Sequence, residues 1–308
     1  MKIILAKNIG FCFGVKRAID LVTKSLHKTK KPIYTLGPLI HNPQVMEKLE
    51  KENLLCVSKI EEIKKRRKRS PRRRPTEEVG KIFIRSHGVP REILTRLKRK
   101  KIKIIDATCP YVKKIQHLVS DLAKKNYMVI IFGKRNHPEV EALVSYAQGK
   151  AKVIEKVKDL TPTLSGLNKK IGLVSQTTQS TEDFQKIISF FQSPMFQDKS
   201  RKDILRDKEV EIHNTLCPTT KKRQIEAAKI ARETDLVFVI GGKNSSNTTR
   251  LAEICSQYQR NTFHIETANE INPQWLKKIN KIGIVTGAST PDWIIKEVVT
   301  QLKNRFRG

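Results

Sequence analysis

Runs of Val, Ile and Leu punctuate the chain at regular intervals, with amphipathic stretches between them. Four strand-like runs precede residue 100: MKIILA, PIYTLG, LLCVS and KIFIRS. Four more follow in KIKIIDA, YMVIIFG, AKVIEKV and KIGLVSQ, and the last four are EVEIHNT, LVFVIGG, NTFHIE and KIGIVTG. Segments such as REILTRLKRK, TEDFQKIISFFQ and DWIIKEVVTQLKNRF have helical periodicity. Strands alternating with helices predict parallel sheets built from βαβ units, an α/β fold. The strands are apolar at successive positions, which predicts helices on both faces of every sheet.

The runs group into three copies of one four-stranded unit. Cys12 to Gly37 is 25 residues, Cys109 to Gly133 is 24, and Cys217 to Gly242 is 25, each glycine closing a second strand. The fourth strands open on the same Lys-Ile pair at Lys81, Lys170 and Lys281. From the end of the third strand, Glu155 to Lys170 and Glu266 to Lys281 both span 15 residues, whereas Ser58 to Lys81 spans 23. That surplus holds a basic block, KKRRKRSPRRR, so an insertion at about 64–75 interrupts an otherwise regular unit. The predicted units are 1–101, 102–208 and 209–308, three similar domains with pseudo-threefold symmetry about a shared centre.

The units make sense of the cysteines. DATCP and NTLCP are the same corner twice, and GFCFG is its counterpart in the first unit. Cys12, Cys109 and Cys217 each follow a first strand and open a helix, with Pro110 and Pro218 at the first helical position, where no backbone donor is needed. A helix N-terminus favours the thiolate, the metal-binding form. In open α/β sheets ligands gather beyond the C-terminal strand ends, where these corners lie. Three soft thiolates take an iron–sulfur cluster, zinc or copper(I). The absence of any CxxC pair disfavours a zinc knuckle and favours a cluster gripped by three separate units. Such a cluster keeps one coordination position for a substrate oxygen. Cys56, in a strand, and Cys255, on a helix, are expected to be ordinary buried thiols.

Other strand ends carry a polar shell. His41, His87 and His137 stand at three of them, Gln176, Thr177 and Thr178 at a fourth, Ser245, Ser246 and Asn247 at a fifth, and Ser289 and Thr290 at the last. Such donors at helix starts suit a phosphate or diphosphate. Glu139 is the one carboxylate of the set, suited to proton transfer, with Thr177 able to assist.

Charge changes the picture little. The net charge of +32 falls only to +23 without the nine cations of the basic block, so the bias is general. No aromatics interleave in the block to stack bases, which argues against nucleic acid as a partner. No apolar run reaches the ~18 residues that span a bilayer. MKIILAKNIGFCFG is too short in its apolar part for a signal peptide, so a cytoplasmic protein is expected.

GFCFGVKRAI, IHNPQV, RSHGVP, DATCPYV, HPEVEA, SQTT, NTLCP, GGKNSSNT and GAST, in that order, resemble the 4-hydroxy-3-methylbut-2-enyl diphosphate reductases end to end, the basic insert excepted. The resemblance implies three α/β domains around a 4Fe–4S cluster held by Cys12, Cys109 and Cys217, its open iron binding the allylic hydroxyl. It implies reductive loss of that hydroxyl to isopentenyl and dimethylallyl diphosphate, the last step of the non-mevalonate isoprenoid pathway. Glu139 would transfer the proton with Thr177 in relay. His41, His87, His137, Ser245, Ser246, Asn247 and Ser289 would hold the substrate, and ferredoxin or flavodoxin would supply electrons. Two rivals remain: a quinolinate synthase-like three-cysteine enzyme, which would need an arginine-bearing carboxylate pocket, and a basic RNA-associated module with a structural metal. The insert could dock an acidic electron carrier.

Overall fold

Alternation within each strand decides the layers. In β2 (Ile33–Leu36), Ile33 joins one apolar cluster while Tyr34 and Leu36 join another on the opposite face of the sheet. Both clusters are buried, because helices cover both sides. This computed structural model describes residues 2–29, 31–63, 81–164, 167, 170–193 and 208–305. The basic insert at 64–75 lies outside them.

The other strands are β1 (Lys2–Leu5), β3 (Leu54–Val57), β4 (Lys81–Ile84), β5 (Lys103–Asp106), β6 (Met128–Phe132), β7 (Ala151–Ile154), β8 (Lys170–Ser175), β9 (Glu209–Ile212), β10 (Leu236–Ile240), β11 (Thr262–Ile265) and β12 (Lys281–Thr286). They form three four-stranded sheets, ordered β3-β2-β4-β5, β7-β6-β8-β9 and β11-β10-β12-β1. Every pairing is parallel. The α/β architecture with three parallel sheets is as expected.

The sheets do not follow the repeat boundaries. The first strand of each repeat completes the sheet of the repeat before it: β5 pairs β4, β9 pairs β8, and β1 closes the ring on β12. The helix after that strand then crosses to the next sheet. Helix α1 (Phe13–Leu26) packs Ala18 and Val22 against Ile33 and Phe83 of the first sheet. Likewise α4 (Pro110–Lys124) puts Ile115, Val119 and Leu122 against Val129 and Ile131 of the second. The third crossover, α8 (Pro218–Glu233), lays Ala227 and Ile230 on Val237 and Val239. The repeat units therefore mark the sequence period, while each sheet is offset from it by one strand. Each crossover starts at one of the three cysteines.

The remaining helices are α2 (Pro43–Lys51), α3 (Arg91–Arg99), α5 (Pro138–Tyr146), α6 (Leu160–Leu164), α7 (Thr181–Gln192), α9 (Ser246–Tyr258) and α10 (Asp292–Arg305). Among the described residues no helix is long and apolar enough to cross a membrane. Cys255 is fully buried as expected, on α9. Cys56 is not: β3 is an edge strand, and Cys56 and Leu55 are both exposed. An edge strand has a neighbour on one side only, and here the sheet's helices leave its middle residues open.

Candidate active site

The cysteine corners are built three times in the same way. Cys12 N–H donates to Ala288 O at 2.9 Å, Cys109 N–H to Ser86 O at 2.9 Å, and Cys217 N–H to Thr177 O at 3.0 Å. Each acceptor lies just past the central strand next to the departing one. Each cysteine is the N-cap of its helix, its carbonyl accepting the first helical hydrogen bond, from Lys16, Lys113 and Lys221. Ser, Thr, Asn or Asp at this position would turn an oxygen back onto the helix. None of the three sulfurs makes such a bond, so all three are left for another partner.

The three side chains line one cavity, of about 680 Å³ including its mouth. Space is kept for the sulfurs by Gly14, where an added Cβ would stand 2.6 Å from Cys109 Sγ. Burial works against the expected thiolate at Cys109 and Cys12. Burial, with repulsion from the other sulfurs, pushes Cys109 up to about 11 and raises Cys12 as well. Helix N–H groups of Tyr111, Val112, Gly14 and Val15 pull the other way and lose. Three thiols with no disulfide, no capping bond and a glycine cradle fit a soft metal centre, and their wide spacing fits a cluster.

The polar residues gather at the switch point of each sheet. β2 leads outward to β3 while β4 leads the other way to β5, so the crevice between their C-terminal ends is open. His41 and His87 stand on its two sides, ring centroids 4.2 Å apart. The second sheet repeats this with His137 after β6 and Thr177 after β8. The third does so with Ser245, Ser246 and Asn247 after β10 and Ser289 after β12. Every one of these residues lines the cysteine cavity, as does Glu139.

His137 lies 5.5 Å, centroid to centroid, from both His41 and His87. Burial lowers His41 to about 4 and His137 to about 3, and lowers His87 well below its ordinary value. The Arg85 guanidinium adds to each shift. His137 caps α5, its Nδ1 accepting from Glu139 N–H at 3.1 Å, which leaves the neutral ring's proton on Nε2. One ring nitrogen from each of the three lies within 4.8 Å of the others, a set able to take a metal ion. Arg85 beside them favours an anion instead.

Across the cavity Ser289 Oγ donates to His41 O at 3.0 Å, and Thr178 Oγ1 to Ser246 Oγ at 3.1 Å. Three buried polar atoms in this wall have no partner: His41 Nε2, and both Nδ2 and Oδ1 of Asn247. Each such atom costs about 1–3 kcal/mol, which a bound polar ligand would recover.

Glu139 is 1 % exposed. Its carboxylate accepts from Thr177 N–H and from Thr177 Oγ1, both at 2.7 Å. Burial raises it to about 7 against those two hydrogen bonds. A carboxyl poised there can give or take a proton at neutral pH. The twelve residues that the family resemblance assigns to the site thus reach one cavity together with Thr178, whereas Gln176 and Thr290, also expected in the polar shell, are buried and do not line it. Arg85 is the addition the sequence does not single out, although it stands two residues before His87, because one arginine among 62 basic residues carries no signal.

Comparison with known proteins finds relatives along nearly the whole chain. The family described as "LytB protein" matches residues 3–303. The 4-hydroxy-3-methylbut-2-enyl diphosphate reductase of Citrifermentans bemidjiense is 41% identical over 304 residues, 98% of this chain and 97% of that protein. That of Aquifex aeolicus is 40% identical over 309 residues, 99% of this chain and 97% of that protein. A solved structure of (E)-4-hydroxy-3-methyl-but-2-enyl diphosphate reductase superposes with a TM-score of 0.66 at 38% identity, covering 98% of this chain and 99% of that one. The Plasmodium falciparum reductase gives 0.83 at 31% identity, over 98% and 88%.

Proposed function

The chain belongs to the LytB family and is a 4-hydroxy-3-methylbut-2-enyl diphosphate reductase of the terminal step of the non-mevalonate pathway; we propose that it works through a 4Fe–4S cluster held by Cys12, Cys109 and Cys217. Membership displaces the quinolinate synthase-like and RNA-associated readings. One observation carries the proposal: three equivalent corners deliver three uncapped cysteines to a single cavity that also holds Glu139 and the histidines. When bound, such a cluster supplies single electrons and an iron free to act as a Lewis acid on the alcohol.

The chain's own residues do the rest. The diphosphate lies against His41, His87 and His137, with the Asn247 amide and the hydroxyls of Ser245, Ser246 and Ser289 on the other side. Helix α9, 13 residues long, points its N-terminus at that anion. The bound anion favours protonation of the imidazoles that burial holds neutral, so charge is matched only once substrate has entered. Replacing the hydroxyl by hydrogen and releasing water consumes two electrons and two protons. Glu139 delivers protons to this reaction from its buried carboxyl, and Thr177 Oγ1 fixes the carboxyl's orientation. The products are isopentenyl and dimethylallyl diphosphate. Electrons come singly from a small acidic carrier, ferredoxin or flavodoxin, which the basic chain suits, and a reducing cytoplasm suits free thiols.

The test is turnover of the allylic diphosphate alcohol by anaerobically loaded protein with a reduced dye, products resolved by chromatography. The two alkene diphosphates are expected. Loaded protein that oxidises the dye yet leaves the alcohol intact would contradict the assignment.

A further inference from the structure

One buried cation stands among the cysteine corners. Arg223 lies in the second turn of α8, the helix that Cys217 caps, and is 3 % exposed. Its Nη1 donates to Thr286 O at 2.8 Å and Thr286 Oγ1 at 3.2 Å, with Gly287 O at 3.5 Å. Its Nη2 donates to Gly10 O at 2.8 Å, with Ile9 O at 3.5 Å. Its Nε has no partner. The carbonyls come from the two segments that frame Cys12. Residues 9–10 lead directly into it, and the turn after β12 supplies Ala288 O, the acceptor of the Cys12 N–H. One side chain on the third cysteine's helix thus clasps the loop of the first.

Carbonyl oxygens satisfy the guanidinium's donors without cancelling its charge. A buried cation without a paired anion is costly, so its opposite charge has to be sought nearby. The groups acting on Arg223 are Cys12, Glu226 and Cys217. The Glu226 carboxylate, which accepts from Lys7 N–H and from the N–H and amide of Asn8, answers part of that charge, since neutral donors do not cancel its own. The two sulfurs are the other anionic partners within its reach.

We propose that Arg223 is a positioning residue and fixed counter-charge for the sulfur cage, tying the Cys12 and Cys217 corners together and favouring the reduced state of the cluster they hold. This rests on the reading that the three cysteines hold an iron–sulfur cluster. Arginine suits this role in two ways: its planar fork reaches two loops at once, and its charge is never lost by deprotonation. Added negative charge on reduction is stabilised by a fixed positive charge in a dry site, and net charge is one of the levers on a cluster's potential.

Arg223→Gln keeps donors but removes the charge, and Arg223→Lys keeps the charge but not the fork. Both are loaded anaerobically, assayed for iron and sulfide, and poised at graded potentials while the reduced fraction is followed by electron paramagnetic resonance. For Arg223→Gln the ratio of reduced to oxidised cluster at a fixed potential should fall at least tenfold, equivalent to about 59 mV for one electron. Arg223→Lys should stay within threefold of the wild type. A loaded Arg223→Gln protein with the wild-type ratio overturns the proposal. Should that variant hold no cluster, Arg223→Lys decides: a ratio within threefold supports the charge role, and a tenfold fall refutes it. Wild-type protein without iron and sulfide would instead sink the cluster reading itself, a result distinct from any of these.

Discussion

At Cys12, Cys109 and Cys217 the backbone repeats one arrangement, with N–H to carbonyl distances of 2.9, 2.9 and 3.0 Å to the neighbouring strand end. One strand later in each repeat, at the caps of α2, α5 and α9, the chain closes a helix start with three different side chains. Asn42 Oδ1 accepts from Val45 N–H at 2.9 Å, His137 Nδ1 from Glu139 N–H at 3.1 Å, and Ser245 Oγ from Thr248 N–H at 3.3 Å. Under the proposed function, the difference follows from what each set has to meet. A symmetrical inorganic centre needs three equal grips. A substrate with an anion at one end and an alcohol at the other needs unequal donors, so only the scaffold under them is repeated.

The severest challenge to the equal grips is Gly14→Ala. The new Cβ would meet Cys109 Sγ at 2.6 Å, so iron retention should fall at least tenfold, and turnover with it. Helix propensity alone would stabilise the metal-free protein by roughly 0.5–1 kcal/mol. Iron analysis beside a thermal melt separates the two, and a Gly14→Ala protein that loads normally would show that the corner has slack.

On the unequal side, Glu139→Gln should lower kcat by about 10²–10⁴-fold with iron content unchanged, the range for a lost general acid. Since the protonated carboxyl is the active form, wild-type turnover should fall as pH rises through about 7, and the Glu139→Gln variant should lose that limb. Stability carries the same sign. The folded pKa lies above the ordinary value of 4.5, so the contribution is complete below that value and is lost as pH rises to about 7. The loss amounts to about 3 kcal/mol. Denaturant melts at pH 5 and pH 8 should therefore show Glu139→Gln gaining on the wild type at the higher pH.

A smaller effect is expected at Asn247, whose amide has no partner in the ligand-free cavity. Asn247→Ala should raise KM by roughly 5–150-fold, the equivalent of 1–3 kcal/mol, without destabilising the empty protein. Loss of stability with KM unchanged would mean that the amide serves the fold. Smallest of all is deletion of eight residues of the basic block, 65–72: with a dye as reductant, kcat and KM should stay within about twofold, because the interval from Ser58 to Lys81 then returns to the 15 residues of the other two repeats.

Much of the fold and the site is legible in the sequence because corners are local. A cysteine between a strand and a Pro-led helix announces its own N-cap, and the Cys-to-Gly spacing announces the repeat. Sheet membership is not legible. Nothing in KIKIIDA says whether it joins the strands before or after it, since both neighbours present equally apolar, parallel partners. Cys56 misleads for a related reason, since a strand's apolar composition does not reveal that it will be an edge. Glu139 stands out as the lone acid of the polar set, yet only the packed structure gives its burial and the Thr177 clamp. Arg85 and Arg223 are hidden by the general excess of basic residues, and only the packed structure shows Arg85 beside the three histidines and Arg223 buried against the Cys12 loop.

Everything depends on three distant sulfurs sharing one inorganic centre. The direct measurement is iron and acid-labile sulfide per chain after anaerobic loading, in the wild type and in Cys109→Ala and Cys217→Ala. About four of each are expected in the wild type, with loss of the intact cluster in both variants while far-UV circular dichroism is unchanged. Wild-type protein lacking sulfide, or single-alanine variants that keep the full complement, would contradict the account.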